Sequence, residues 1–378
     1  MIDKLDKDKL VGLIRKQLSV ESIDELSNAI IKKVNDLTRR EKNKNRKEKI
    51  DNLEKKFDIS ILNEEQLKKL PSWITKDLQN CKVVGNSKKM VLTPSGQKFH
   101  LDNKINDLAG NEWSYFLRSV INTRYSTSGE EGYAHHIRKI HPSPKPPQLM
   151  KDIINFFTKE NEHILDYFMG VGGTLLGASL SNRNALGIDL SLKFINAYKK
   201  ATKELKLKEQ KTIKGDCVEI LRNKNLIEEY LNNKKFSLIA IDPPYGDMMN
   251  REKTGESIKK NQSTDATPFT KNKKDLGNMN WIEFREKFIE TIKYSMPYLK
   301  DRGHYVVFIK DLQPKEGKTN LLHSDLIEEI NKIEGLNYIG TKIWADESIN
   351  LYPYGYPHSF VSNQLHQYIM FFRKKLKE

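Results

Sequence analysis

From residue 141 onward, short apolar runs that end at turn residues alternate with longer runs of helical period. "HILDYF" precedes "TLLGASLSN", "ALGID" precedes "LKFINAYKKATKEL", "KTIKGD" precedes "VEILRN", and "FSLIAID" closes the series. A long helical stretch follows over about 281–299, then the strand "HYVVFIK", the helix "SDLIEEINKI" and the strand "QYIMFFRK". This alternation predicts an α/β fold with a mainly parallel sheet and helices on both faces. In such sheets ligands sit beyond the carboxyl ends of the strands.

Four successive strand ends carry an acid. The first is Asp166, followed by Gly170, Gly172 and Gly173, with a helix opening near Thr174. Glycines let the chain turn sharply and approach a ligand closely, and the unpaired N–H groups of a helix start favour a carboxylate or phosphate. The second, Asp189, lies about twenty residues on, where an acid can accept hydrogen bonds from ribose hydroxyls. Its structural alternative is a helix N-cap ahead of "LSLKF". The third, Asp216 in "KGDC", is placed to contact an adenine. The fourth runs "FSLIAIDPPYGD": a buried strand, then Asp242, Pro243, Pro244 and Tyr245. A core strand should not end by pointing a charge at nothing, so Asp242 needs a partner. The prolines lack N–H groups, cannot continue the ladder and stiffen the corner. From this corner leaves a polar, lysine-rich stretch without period, 246–280, of the length expected for a functional loop.

Upstream, residues 1–57 read as helical, with Ile23, Leu26, Ile30, Val34 and Leu37 forming one apolar stripe. The basic run "RREKNKNRKEK" over 39–49 reads as a solvated linker, or as the basic face of a helix that binds a partner or a second copy. Residues 58–140 form a mixed accessory region, a candidate for target recognition. "NSKKMVLTPSGQKFHL" predicts a hairpin, and "NEWSYFLRSVI" predicts a helix with buried aromatics. Residues 141–378 form the catalytic domain.

Taken together, these strand ends resemble the amino-group DNA methyltransferases, which use S-adenosylmethionine to methylate adenine N6 or cytosine N4. "DYFMGVGG" resembles the family's methionine-binding glycine loop, Asp166, Phe168, Gly170, Gly172, Gly173 and Thr174 included. "DPPY" matches the catalytic tetrad. "HPSPKPPQL" resembles the segment that precedes the first strand, so that His141 and Lys145 position the cofactor. The closing "NLYPYGYPHSFVSNQLHQYIMFFRK" is similar to the family's final segment. The resemblance covers roughly 110–378 and implies a Rossmann-like class I methyltransferase fold with a seven-stranded sheet and an N-terminal helical appendage. Asp189, Asp216 and Cys217 join the implied cofactor site. The same tetrad occurs in RNA amino-methylases.

The chemistry explains the residue types. An exocyclic amine attacks poorly because its lone pair is delocalised into the base. Hydrogen bonds from the amine to Asp242 and to the Pro243 carbonyl draw the nitrogen toward a tetrahedral shape. The acid also offsets the positive charge that grows there. A duplex hides this amine, so the base must leave the stack. Tyr245 would then offer a face to stack on, with Tyr354, Tyr356 or Phe360 on the other side. Their plain alternative is a proline–aromatic loop packed on the sheet edge. His135 and His136 lack a third metal ligand at a convincing spacing, so no metal is expected. A carbon-5 methylation role for Cys217 is disfavoured, since that chemistry needs a cysteine beside a proline on the catalytic loop. Trp113 and Trp281 read as packing residues.

Charge points to the partner. Lys and Arg number 65 against 50 Asp and Glu, a net charge of +15, which suits a polyanion such as DNA. A lysine-heavy proteome would give the same balance. Two widely spaced cysteines suit a reducing cytoplasm, and neither a signal peptide nor a membrane span is expected. The preferred activity is sequence-specific methylation of adenine N6 in DNA. The alternatives are cytosine-N4 methylation of DNA, RNA amino-group methylation, and a non-catalytic nucleic-acid-binding subunit. Target recognition falls to the first 140 residues, the 246–280 loop, the stretch around 312–349, or another subunit.

Overall fold

The computed structural model describes residues 34–36, 38, 55–246, 269–313 and 320–376. Most of the apolar stripe expected over 1–57 and most of the lysine-rich loop lie outside these residues. The chain divides into two compact units, Met1–Leu67 with Asp77–Gly96, and Lys68–Lys76 with Gln97–Glu378.

In the smaller unit, strands Lys56–Asp58, Lys82–Val84 and Met90–Leu92 pair antiparallel. The turn expected near Pro94 is present and is closed by the Gly96 N–H on the Thr93 carbonyl at 2.9 Å. Strands Met90–Leu92 and Lys98–His100 flank it.

The larger unit is built on an eight-stranded sheet. Its strands are β1 (Val120–Thr123), β2 (His163–Asp166), β3 (Asn184–Asp189), β4 (Lys211–Lys214), β5 (Phe236–Ile241), β6 (Leu299–Ile309), β7 (Leu336–Asp346) and β8 (His366–Lys374). Their order across the sheet is β1-β7-β8-β6-β5-β2-β3-β4. All neighbours run parallel except β8, which is antiparallel to both β6 and β7. The helices that matter here are α1 (Pro147–Phe157), α2 (Gly173–Leu180), α3 (Leu192–Glu204), α4 (Cys217–Arg222), α5 (Lys224–Leu231), α6 (Trp281–Ser295) and α7 (Leu322–Asn331).

Alternation along β5 explains the layering. All six residues of β5 are buried. Leu238 and Ala240 join a core with α1, α2 and α3, while Ile239 and Ile241 join one with α4 to α7. A strand of period two thus serves two apolar faces at once. Helix starts are set by local chemistry. Pro147 opens α1 at a position where a missing N–H costs nothing. Ser191 caps α3, Asp216 caps α4, and Asn280 with Glu283 forms a capping box on α6.

The path of the chain locates the site. From β2 it moves outward through β3 to β4, then returns to β5 on the other side of β2. The strand order reverses between β2 and β5, and a crevice opens beyond their carboxyl ends. The glycine turn follows β2, and the Asp-Pro-Pro-Tyr corner follows β5.

The class I Rossmann-like fold is as expected, with two corrections. The sheet has eight strands, not seven. The helix expected over "NEWSYFLRSVI" spans only Gly110–Phe116, and the chain then extends into β1, which pairs with β7. Tyr115 is exposed, whereas Phe116 stacks on Phe156 with ring centroids 4.0 Å apart. The stretch around 312–349, offered for target recognition, contains α7 and β7. The larger compact unit takes in Lys68–Lys76 and the chain from Gln97 onward.

Candidate active site

A cavity of about 460 Å³ lies at the strand reversal, within the size range of small-molecule sites. Asp242, Pro243, Pro244 and Tyr245 line it, as do His141, Lys145, Phe168, Gly170, Asp189, Asp216 and Cys217. Asp166, Gly173 and Thr174 line a smaller adjoining hollow that shares His141, Lys145, Gly170 and Asp242. Gly172 lines neither. At its φ of +76° a Cβ would stand 2.2 Å from the Tyr198 ring, so this glycine is required by packing.

The glycine turn is held by carboxylates that accept backbone N–H groups. Asp166 accepts from the Phe168 N–H at 3.0 Å and from the Thr174 hydroxyl at 2.5 Å. Asp189 accepts from the Gly170 N–H at 2.8 Å and from the Ser191 N–H at 2.7 Å. Burial pushes both acids up to about 7. Asp189 is therefore not the cap of α3; it ties the second strand end to the glycine turn. Asp216 caps α4 by accepting from the Glu219 N–H at 3.0 Å, while still lining the cavity. The Cys217 thiol is buried and its pKa is raised by that burial, so it is no nucleophile.

Asp242 has the partner its position demanded. Its Oδ2 lies 2.8 Å from the Lys145 ammonium, and its Oδ1 accepts from the Tyr245 hydroxyl at 3.0 Å. Lys145 also donates to Gln367 Oε1 at 2.6 Å, on the last strand. The prolines at 144, 146 and 147 deliver Lys145 on a stiff segment. Tyr245 lines the cavity beside Asp242. Its ring is only 7% exposed and packs in the core, and burial keeps its hydroxyl neutral as a donor. It donates to the acid, and only a small part of it is left to line the cavity. Tyr356 and Phe360 are largely exposed, at 81% and 92%, and neither lines the cavity.

His141 packs against Gly170, where a Cβ would lie 3.2 Å from its Nε2. Its ring stacks on Phe269 at 5.1 Å and meets Phe194 edge-on at 4.8 Å. Burial lowers its pKa to about 4, so the imidazole is neutral near neutral pH. His135 also lines the cavity, and His136 lies 3.3 Å from Glu204. No group of metal-ligating side chains occurs among the described residues, nor does any helix there have the length and apolarity to cross a membrane.

Sequence reading missed Arg138, Phe269, Lys310, Trp344 and Gln367 as cavity residues. Lys310 follows the carboxyl end of β6, so the strand-end rule would have found it, whereas Gln367 stands at the amino end of the antiparallel β8. Trp344 lies on the unrecognised β7. Trp113 and Trp281 are packing residues, as expected.

A family model described as DNA methylase matches residues 25–200, and one described as conserved hypothetical protein 95 matches residues 148–293. The first contains the glycine turn and ends before Asp242; the second contains both. The chain is 32% identical over 105 residues to a tRNA (guanine(10)-N2)-dimethyltransferase of Pyrococcus abyssi, covering 28% of this chain and 30% of that protein. It is 29% identical over 136 residues to the enzyme of that name in Methanocaldococcus jannaschii, covering 36% and 38%. Type II methyltransferase M.HinfI of Haemophilus influenzae is 33% identical over 95 residues, 25% of each chain. The matches thus span about a third of the length of the tRNA relatives. Among solved structures, TrmN from Thermus thermophilus aligns over 65% of this chain and 53% of its own, with a TM-score of 0.40 and 11% identity. The glycine turn lies inside the DNA methylase match, and several type II methyltransferases are among the relatives, so the chain is similar to the N6/N4 amino-group methyltransferases.

Proposed function

We propose that this methyltransferase transfers the methyl group of S-adenosylmethionine to the exocyclic amine of a base swung out of DNA, with adenine N6 the preferred atom. The observation that carries the reading is a shared wall. The Asp242 carboxylate and Gly170 of the glycine turn line one cavity, together with Asp189 and Asp216.

The residues fit the cofactor. Gly170 lets a ligand come close to the backbone, the first amides of α2 lack intrahelical acceptors, and buried acids line both hollows. Asp189 uses one hydrogen bond on each oxygen and keeps a lone pair on each for ribose hydroxyls. The bound cofactor supplies an electrophilic sulfonium methyl.

The chain's task is then alignment. Asp242 uses one lone pair on each oxygen for Lys145 and Tyr245, and a carboxylate has about four such sites. An amine can therefore be accepted without breaking either contact. The Pro243 carbonyl offers a second acceptor at a corner the prolines hold rigid. Lys145 and Tyr245 fix the direction of the acceptor, and orientation of this kind contributes several kcal/mol to such reactions. Because Lys145 offsets the acid's charge, much of the effect of Asp242 is geometric.

The type II relatives favour DNA. The tRNA guanine-N2 relatives favour a second reading, in which the same corner holds the amine of guanine in RNA. Cytosine N4 in DNA requires the same geometry. The intact acid with both of its partners weighs against a non-catalytic subunit. Incubation with methyl-labelled cofactor and either DNA or tRNA, followed by nucleoside analysis, tests the proposal. N6-methyladenine from DNA is the expected product. N2-methylguanine from tRNA would replace it with the second reading, and label on a ring carbon would refute both.

A further inference from the structure

Arg138 is the strongest feature the reading above leaves unused. It ends the short helix His135–Arg138, is 1% exposed and lines the main cavity. Its Nη2 donates to the Lys145 carbonyl, and its Nε has no acceptor. No carboxylate among the described residues pairs with it. Burial lowers its pKa to about 10, so it is charged near neutral pH. A buried, unpaired guanidinium is costly, and it is retained most simply where an anion binds.

The surroundings say where that anion lies. The Lys145 carbonyl that anchors Arg138 sits against the start of α2, 2.7 Å from where a Gly173 Cβ would be. The unpaired amides of an eight-residue helix and a guanidinium thus stand close together. Both signs of charge line the rest of the site: Asp189, Asp216 and Asp242 line the main cavity with Lys145, Lys274 and Lys310, and Asp166 lines the adjoining hollow. Lys145 is already paired with Asp242, and a phosphate would bring no positive group to the other acids. A zwitterion meets both signs, with its carboxylate on the guanidinium side and its ammonium on the acid side.

We infer that Arg138 binds the α-carboxylate of the cofactor's amino-acid end and makes the site selective for a cofactor that carries one. This rests on the cofactor reading of the cavity. Guanidinium–carboxylate contacts are planar and charge-assisted, which suits discrimination between a carboxylate and its absence.

Calorimetric titration of the full chain with S-adenosylhomocysteine and with its decarboxylated amine, S-adenosyl-3-thiopropylamine, is the test. The wild type should bind the first about 10–100-fold more tightly, the range for hydrogen bonds to a charged group. Arg138→Gln should lose most of that preference while its affinity for the amine stays nearly unchanged. Arg138→Lys should recover part of it. Equal weakening of both ligands in Arg138→Gln would mean that Arg138 only braces the Lys145 segment, overturning the inference. So would a wild type that binds both ligands alike. A wild type that binds neither would remove the cofactor reading itself, and the inference with it.

Discussion

Asp189 and Asp242 both follow central strands and both line the cavity, yet the chain holds them by different means. Asp189 is gripped by two backbone N–H groups, from Gly170 and Ser191. Asp242 is held by two side chains, Lys145 and Tyr245. A backbone-held acid is inseparable from the turn it shapes, so its loss should disturb ligand binding as a whole. A side-chain-held acid can be altered while the turn stays intact, so its loss should strike one chemical step. On the proposed reading the two strand ends divide the work: one builds the cofactor's seat and the other faces the reacting amine.

The largest expected effect separates these roles. Asp242→Ala should lower the methyl-transfer rate by about 10²–10³-fold, the scale for removing one preorganised electrostatic partner, and leave S-adenosylhomocysteine affinity little changed. Asp189→Asn should do the reverse, weakening the ligand more than the chemical step. Single-turnover rates beside calorimetric affinities check both, and two variants with the same pattern would break the comparison.

Next comes the Lys145–Asp242 pair, whose side chains are 8% and 20% exposed. Lys145→Met strands the acid, and urea denaturation should show a loss of about 3 kcal/mol, the low end for breaking a buried pair. Adding Asp242→Asn should recover part of that loss, because the contact is shared. Strict additivity would mean that the pair contributes nothing.

The backbone-held acids should show in the pH dependence. Burial raises Asp166 and Asp189 from 3.8 to about 7. The folded chain then binds more protons than the unfolded one between those values. The resulting stability is fully present below about pH 4 and is lost as pH rises through about 7. Thermal unfolding of the ligand-free protein should therefore give a stability that falls from pH 4 to 7.5, with a shallower slope in Asp189→Asn. A slope unchanged by that substitution would show that the acid is not the source.

The smallest effect concerns Asp216, which both caps α4 and lines the cavity. Asp216→Ala should cost about 1 kcal/mol of stability as a lost cap. Asp216→Ser should restore that stability, since serine also caps. If the acid contacts the adenine, ligand affinity should stay lowered in both variants. Full recovery of affinity with serine would leave Asp216 as a cap alone.

Much of this arrangement was legible in the residues. Strands β2, β3 and β5 are buried apolar runs that end in acids, with glycines after the first and prolines after the last. Each of those signals has a local physical cause. Strands β1 and β7 are different. Val120–Thr123 is a short, half-exposed edge. In β7, Gly340 sits at a register shift and Lys342 interrupts the apolar pattern. Lys342 is nonetheless buried, donating to the carbonyls of Phe116, the last residue of the helix Gly110–Phe116, and of Arg118 just beyond it. Only tertiary contacts make that lysine an interior residue. Arg138 escaped for the same reason: a charged residue in "HHIRK" reads as surface until the fold encloses it. The direction of the Tyr245 ring was equally hidden, because a tyrosine after two prolines can face the core or the cleft.

A crystal structure of the chain with S-adenosylhomocysteine tests the central claim most directly. The ligand's amino-acid end should lie on the Gly170–Thr174 turn, with its sulfur facing the Asp242 carboxylate across a gap a nucleobase amine can fill. A ligand bound elsewhere, or one whose sulfur points away from Asp242, would contradict it.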